Sequence, residues 1–179
     1  MKKIISICIS SLLLMACVQL PNLLPNGSGE DADMEILELN APVNYDGTLV
    51  VNEDLTLNFP VDFVVGSCVK WFIEVENGNV LTQNNLHPVA LQQGDLVGGF
   101  VEGYWKNKTQ VKYGVQFYPD CVYFPTFNFE EDTVVGIRFK IANKYHYGWM
   151  ILYADENSNI TIKTIGYNKS AGVNVRIGN

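Results

Sequence analysis

The chain has 179 residues, with 12 Lys and Arg against 19 Asp and Glu for a net charge of −7, and 47% of it is hydrophobic. The length suits one ordinary domain, and the apolar fraction supports a packed core and excludes wholesale disorder. The acidic balance argues against a nucleic-acid partner, because phosphate recognition asks for clustered Lys and Arg.

Residues 1–16 place Lys2 and Lys3 ahead of an apolar run from Ile4 to Met15. That run is shorter than the roughly 20 apolar residues needed to span a bilayer. A basic tip on a short apolar segment reads as a secretory signal, expected to be helical. The residues that follow, Leu14-Met15-Ala16-Cys17, resemble the lipobox of bacterial lipoproteins. The resemblance implies cleavage before Cys17, a diacylglyceryl group on its sulfur and acylation of the new amine. Each buried acyl CH₂ contributes about 0.8 kcal/mol, and two or more chains anchor stably. The membrane is therefore an expected partner, reached through Cys17, and the expected location is the bacterial cell envelope at the outer membrane. Loss of Lys2 and Lys3 makes the mature chain more acidic still. Anionic headgroups repel such a surface, so the lipid carries the attachment.

Residues 17–33 contain Pro21, Pro25, Gly27 and Gly29, then Glu30, Asp31 and Asp33. Pro and Gly deny regular structure and the acids keep the segment solvated, so a lipidated, disordered tether is expected. Residues 34–179 form the single folded domain. Of the four cysteines, Cys8 leaves with the signal and Cys17 takes the lipid. Cys68 and Cys121 remain in an exported chain, where a disulfide between them is expected. Chain entropy puts such a bridge at about 4 kcal/mol. Two buried free thiols are the alternative. Neither cysteine lies in a Cys-x-x-Cys, and no metal is expected.

From residue 34 onward the hydrophobic pattern repeats every two residues. Met34 to Leu39 is the one stretch that reads either as helix or as strand. Leu55, Leu57, Phe59, Val61 and Phe63 share a face, but Pro60 interrupts them, so that strand is expected at an edge or bent. Val69, Trp71, Ile73 and Val75 oppose Lys70, Glu74 and Glu76. Asn77-Gly78 then predicts a tight hairpin. Val111, Tyr113, Val115 and Phe117 form another face. Val135, Ile137, Phe139 and Ile141 oppose Gly136, Arg138 and Lys140, and Tyr147, Trp149, Ile151 and Tyr153 share a face. Turns at Asn143-Lys144 and at 155–159 make the last three long strands a meander. The phase slips between Ile162 and Ile165, which predicts a bulge near Thr164. About ten short strands without a helical stripe predict an all-β, antiparallel β-sandwich of jelly-roll or immunoglobulin-like type.

Tyr145-His146-Tyr147-Gly148-Trp149, Ile160-Thr161-Ile162 and Ile165-Gly166-Tyr167-Asn168 together resemble a pattern in secreted and surface-anchored bacterial β-domain proteins. Leu91-Gln92-Gln93-Gly94-Asp95 and Trp105 are similar to the same group's Leu-x-x-Gly-Asp turn and later Trp. Gly166 stands where that group has Ala. The resemblance implies an anchored surface β-domain and no known enzymatic activity.

No catalytic constellation emerges from the residues. His87 precedes Pro88, and His146 falls at an expected turn. Both read as exposed turn histidines, and no Gly-x-Ser-x-Gly accompanies them. The acids at Glu74 and Glu76 or at Glu130-Glu131-Asp132 are the material for the alternative, a small envelope hydrolase using paired carboxylates. A calcium loop at Asn44–Gly47 or Asn52–Asp54 has too few oxygens. Trp71 and Trp149 are in phase with apolar neighbours and read as core. Tyr104-Trp105 follows Gly103 and precedes Lys106-Asn107-Lys108, so if any aromatic meets a ligand, it is this pair. Arg138 and Lys140, on a polar strand face, read first as solvated strand charges, with a place for an anionic group as the lesser alternative. The functional expectation is a non-catalytic, lipid-anchored binding or structural domain, adhesin-like, with a surface glycan or protein as ligand and no cofactor.

Overall fold

The computed structural model describes residues 33–64, 68–83, 87–99, 103–116, 121–128 and 130–177, with the side chains of 63–64, 68, 113–116 and 121–125 left undescribed. The expected signal segment, Cys17 and the expected tether up to residue 32 lie outside the described residues. Among the described residues there is no helix. The strands are β1 (Met34–Pro42), β2 (Thr48–Val50), β3 (Thr56–Asn58), β4 (Val61–Val64) and β5 (Cys68–Val75). They continue with β6 (Gly78–Thr82), β7 (Leu96–Val97), β8 (Tyr104–Lys106), β9 (Lys108–Gln116) and β10 (Cys121–Pro125). The last four are β11 (Asp132–Ile141), β12 (Lys144–Ala154), β13 (Ile160–Asn168) and β14 (Val175–Arg176).

One six-stranded sheet has the order β1-β13-β12-β11-β6-β8. The other has the order β10-β9-β5-β3-β2, with β4 also on β5, and every pairing is antiparallel. The fold is the expected all-β sandwich. Its main core is drawn from both sheets: Leu55, Leu57, Phe59, Ile73, Val75 and Val111 from one, and Val135, Ile137, Phe139, Met150, Leu152 and Ile162 from the other. Met34–Leu39 resolves as strand, paired with β13. The strand count exceeds ten because β2, β7, β8 and β14 are only two or three residues long, too short to display alternation.

Pro60 acts as expected. It separates β3 from β4, yet both pair with β5 in one continuous register, Leu57 opposite Val75 and Val61 opposite Trp71. The meander of β11, β12 and β13 is present. Its phase slip is a bulge at Lys163: Ile151 faces Thr164 while Leu152 faces Ile162. The first turn of the meander sits one residue earlier than expected. Ala142 (φ 47°) and Asn143 (φ 65°) occupy it, and Ile141 pairs with Lys144.

The Asn77-Gly78 turn is not a hairpin. Asn77 takes a left-handed φ of 52°, but β5 belongs to one sheet and β6 to the other. The turn carries the chain across the sandwich. Turn chemistry reverses a chain locally; it does not decide which strands then bond.

A second core lies on the outer face of the β1-to-β8 sheet, away from its partner sheet. Val97, Tyr147, Trp149, Val175 and Ile177 are buried there, under the small β7–β14 ladder. Trp149 is core as expected, but in this outer layer, not between the sheets.

Candidate functional site

Among the described residues, a concavity lies where β6 and β11 part. After β6 the chain doubles back: Gln83 N–H donates to His87 O (2.7 Å) and Val89 N–H to Leu81 O (3.2 Å). Leu91 N–H then donates to Val134 O at 2.9 Å, so this segment fills the gap between the two strands. Gln83, His87, Pro88 and Ala90 form one wall of a cleft of about 470 Å³; Thr126, Phe127, Asn128 and Thr133 form the other. The second wall is held from behind. Thr126 donates through Oγ1 to Gln110 O (2.7 Å) and through its N–H to Val111 O (3.0 Å), while Asn128 Nδ2 donates to Glu131 Oε2 (2.7 Å). Amides, hydroxyls, an imidazole and one phenyl ring thus face one space. Among the described residues that line it there is no carboxylate.

The expected Tyr104-Trp105 pair is divided by the alternation of β8. Trp105 is opposite Leu81 and Tyr104 opposite Thr82 on β6. Trp105 turns to the outer layer, half-buried, with its ring 6.1 Å from Tyr147, and its Nε1 is buried without a partner among the described residues. Tyr104 turns the other way and is 56% exposed. Thr82 bridges Pro88 as well as Tyr104, so Tyr104 stands one strand beyond the cleft's Pro88 wall. Arg138 and Lys140 do share the outer face. The Arg138 guanidinium lies 4.7 Å from the Trp105 ring centroid and 4.4 Å from that of Tyr145.

No family model, no curated protein and no solved structure matches this chain.

The two histidines part company. His87 is exposed at the cleft. His146 is not an exposed turn residue: it sits on β12, 5% exposed, with Nδ1 3.0 Å from Asn168 O and its ring stacked on Phe139. The turn occupies Ala142-Asn143 and β12 begins at Lys144, which places His146 in the strand and its inward phase. The acids at 130–132 do not converge. Glu131 accepts from Asn128, Asp132 pairs with Lys163 at 2.6 Å, and Glu130 N–H donates to Ala154 O. Asn52 Oδ1 is occupied by the N–H groups of Asp54 and Leu55, and no cluster of three metal-ligating side chains occurs among the described residues.

The side chains of Cys68 and Cys121 are outside the described residues. Their backbones stand on β5 and β10, with β9 between. Strands are about 4.8 Å apart, and a disulfide asks for Cα atoms within about 6.8 Å. A bridge therefore requires the ends of β5 and β10 to draw together.

One cluster had no sequence signal. Lys112 is 7% exposed, with Nζ 5.7 Å from the Tyr45 ring centroid and 5.4 Å from that of Trp71. Burial holds its amine below the ordinary lysine range, and the charge of Asp155 partly offsets this. Burial raises the Tyr45 hydroxyl pKa. The bulge between Trp71 and Phe72 brings these groups together, and a bulge leaves no mark in a simple alternation of residue types.

Proposed function

We propose that this chain is a lipid-anchored cell-envelope protein, held at the outer membrane through Cys17, whose β-sandwich binds a surface glycan without catalysis. The cleft lined by Gln83, His87, Ala90, Thr126, Asn128 and Thr133 carries the reading. Its volume, about 470 Å³, falls within the roughly 300–1,000 Å³ of small-ligand sites. Amide and hydroxyl groups exchange hydrogen bonds with sugar hydroxyls, and a ring such as Phe127 packs on the apolar face of a pyranose. Tyr104, exposed nearby, is the member of the expected aromatic pair left to meet a longer chain. The hydrolase alternative needs two carboxylates flanking one bond, about 5–9.5 Å apart, and the described lining supplies none.

Glycan-array binding of the mature domain tests the ligand. Asn128→Ala and Gln83→Ala should each reduce the signal about tenfold, and Tyr104→Ala should weaken binding of longer chains. An array on which nothing binds overturns the glycan reading. Palmitate labelling tests the anchor: the wild type should be tagged and Cys17→Ser should not.

A further inference from the structure

Arg138 is held in one orientation by three groups. Trp105 and Tyr145 each bring a ring centroid within 5 Å of its guanidinium carbon, at 4.7 and 4.4 Å, and its Nε–H donates to Asn79 Oδ1 at 2.8 Å. Lys140 extends over the same Tyr145 ring, with Nζ 5.1 Å from the centroid. Register explains the grouping: Arg138 is opposite Asn79 on β6, and Lys140 opposite Tyr145 on β12.

Among the described residues neither cation has a counter-charge. The ion pairs among the described residues engage Lys108, Lys163 and Lys169, and none engages Arg138 or Lys140. This occurs in a chain where 19 acids face 12 bases. A half-buried guanidinium without an anion keeps an unmet electrostatic demand, and rings that fix its plane reduce the ordering needed when an anion arrives.

The geometry points to an oxyanion site at Arg138 and Lys140 for the carboxylate of an acidic saccharide, an inference that rests on the glycan-binding reading. With Nε committed to Asn79, the two Nη groups present the planar fork that matches a carboxylate bidentately. Lys140 adds a second positive charge beside it. Asn79 accepts through Oδ1, which leaves its amide N–H groups to donate to a neighbouring sugar hydroxyl.

Calorimetry of the mature domain with trigalacturonate tests this, with its methyl ester, inorganic sulfate and a hexaglutamate peptide as comparisons. Trigalacturonate should bind saturably, and the neutral ester should bind at least about tenfold more weakly. Arg138→Gln should abolish the difference between acid and ester, and Lys140→Gln, an exposed position, should reduce it. Should Arg138→Gln fail to fold, Lys140→Gln and the ester comparison still decide. Equal binding of acid and ester overturns the proposal. So does displacement of the saccharide by sulfate or by hexaglutamate at equal concentration, which would mark a general anion site or an acidic-peptide site. A neutral glycan bound at the cleft with no binding of trigalacturonate overturns this inference and leaves the glycan reading standing; no binding of either overturns both.

Discussion

Trp149 packs its indole against Gly166 on the neighbouring strand so closely that a Cβ at 166 would lie 2.5 Å from Cζ2 and 2.6 Å from Cε2. The two residues are opposite one another in the β12–β13 register, and the indole belongs to the outer core under β7 and β14. The glycine makes room for the ring. Gly166→Ala should therefore destabilise the fold by about 1–3 kcal/mol through overpacking, read as a lower urea midpoint. Trp149→Phe combined with Gly166→Ala should cost less than the sum of the two single changes, because one clash is shared.

Ala142 sits at φ 47° in the two-residue turn between β11 and β12, followed by Asn143 at φ 65°. Two positive φ angles define the mirror-image turn that suits a twisted hairpin. Alanine pays for the left-handed conformation with a Cβ contact that glycine lacks. Ala142→Gly should raise stability by about 1 kcal/mol. A melting temperature that falls would show that the turn is not the one described.

Asp155 organises the loop between β12 and β13. Its carboxylate accepts from Asn159 Nδ2 (2.9 Å) and from the N–H groups of Asn159 (2.8 Å) and Asn157 (2.9 Å). These bonds, the Asn159 side chain first, hold its pKa below the ordinary aspartate value. A depressed folded pKa gives stability that is present above the unfolded value, about 3.9, and is lost as the pH falls through the folded one. Asp155→Asn should therefore lower the melting temperature at neutral pH and flatten its decline below about pH 4. A variant with an unchanged acid limb would contradict this.

The expected Cys68–Cys121 bridge can be counted directly. Alkylation of the protein in denaturant should add no label to these two residues before reduction and two labels afterwards. Labelling of both without reduction would mean that β9 keeps their strands apart.

The Tyr145–Trp149 pattern is explained by the β12–β13 register. Tyr147, Gly148 and Trp149 alternate across β12. Tyr147 and Trp149 enter the outer core, and Gly148 lies so close to the β13 backbone at Gly166 and Tyr167 that a Cβ would collide with it. A pattern read as a family signature thus has a packing reason of its own in this chain.

What the linear sequence determined here depends on near neighbours: the strand class, the break at Pro60, the bulge behind Ile162 and the inward phase of Val135, Ile137 and Phe139. A strand's two faces and a proline's missing N–H are local properties, and residue order states them. Three dimensions decided the rest. Asn77 turns the chain the same way whether its flanking strands pair or part, so only assembly shows that β5 and β6 lie in different sheets. Trp105 leaves Tyr104, and Arg138 gains Trp105, Tyr145 and Asn79, because β6, β8, β11 and β12 come together from distant stretches. The cleft brings Gln83 and Asn128 together from distant stretches of the chain, a proximity that no spacing of residue types records.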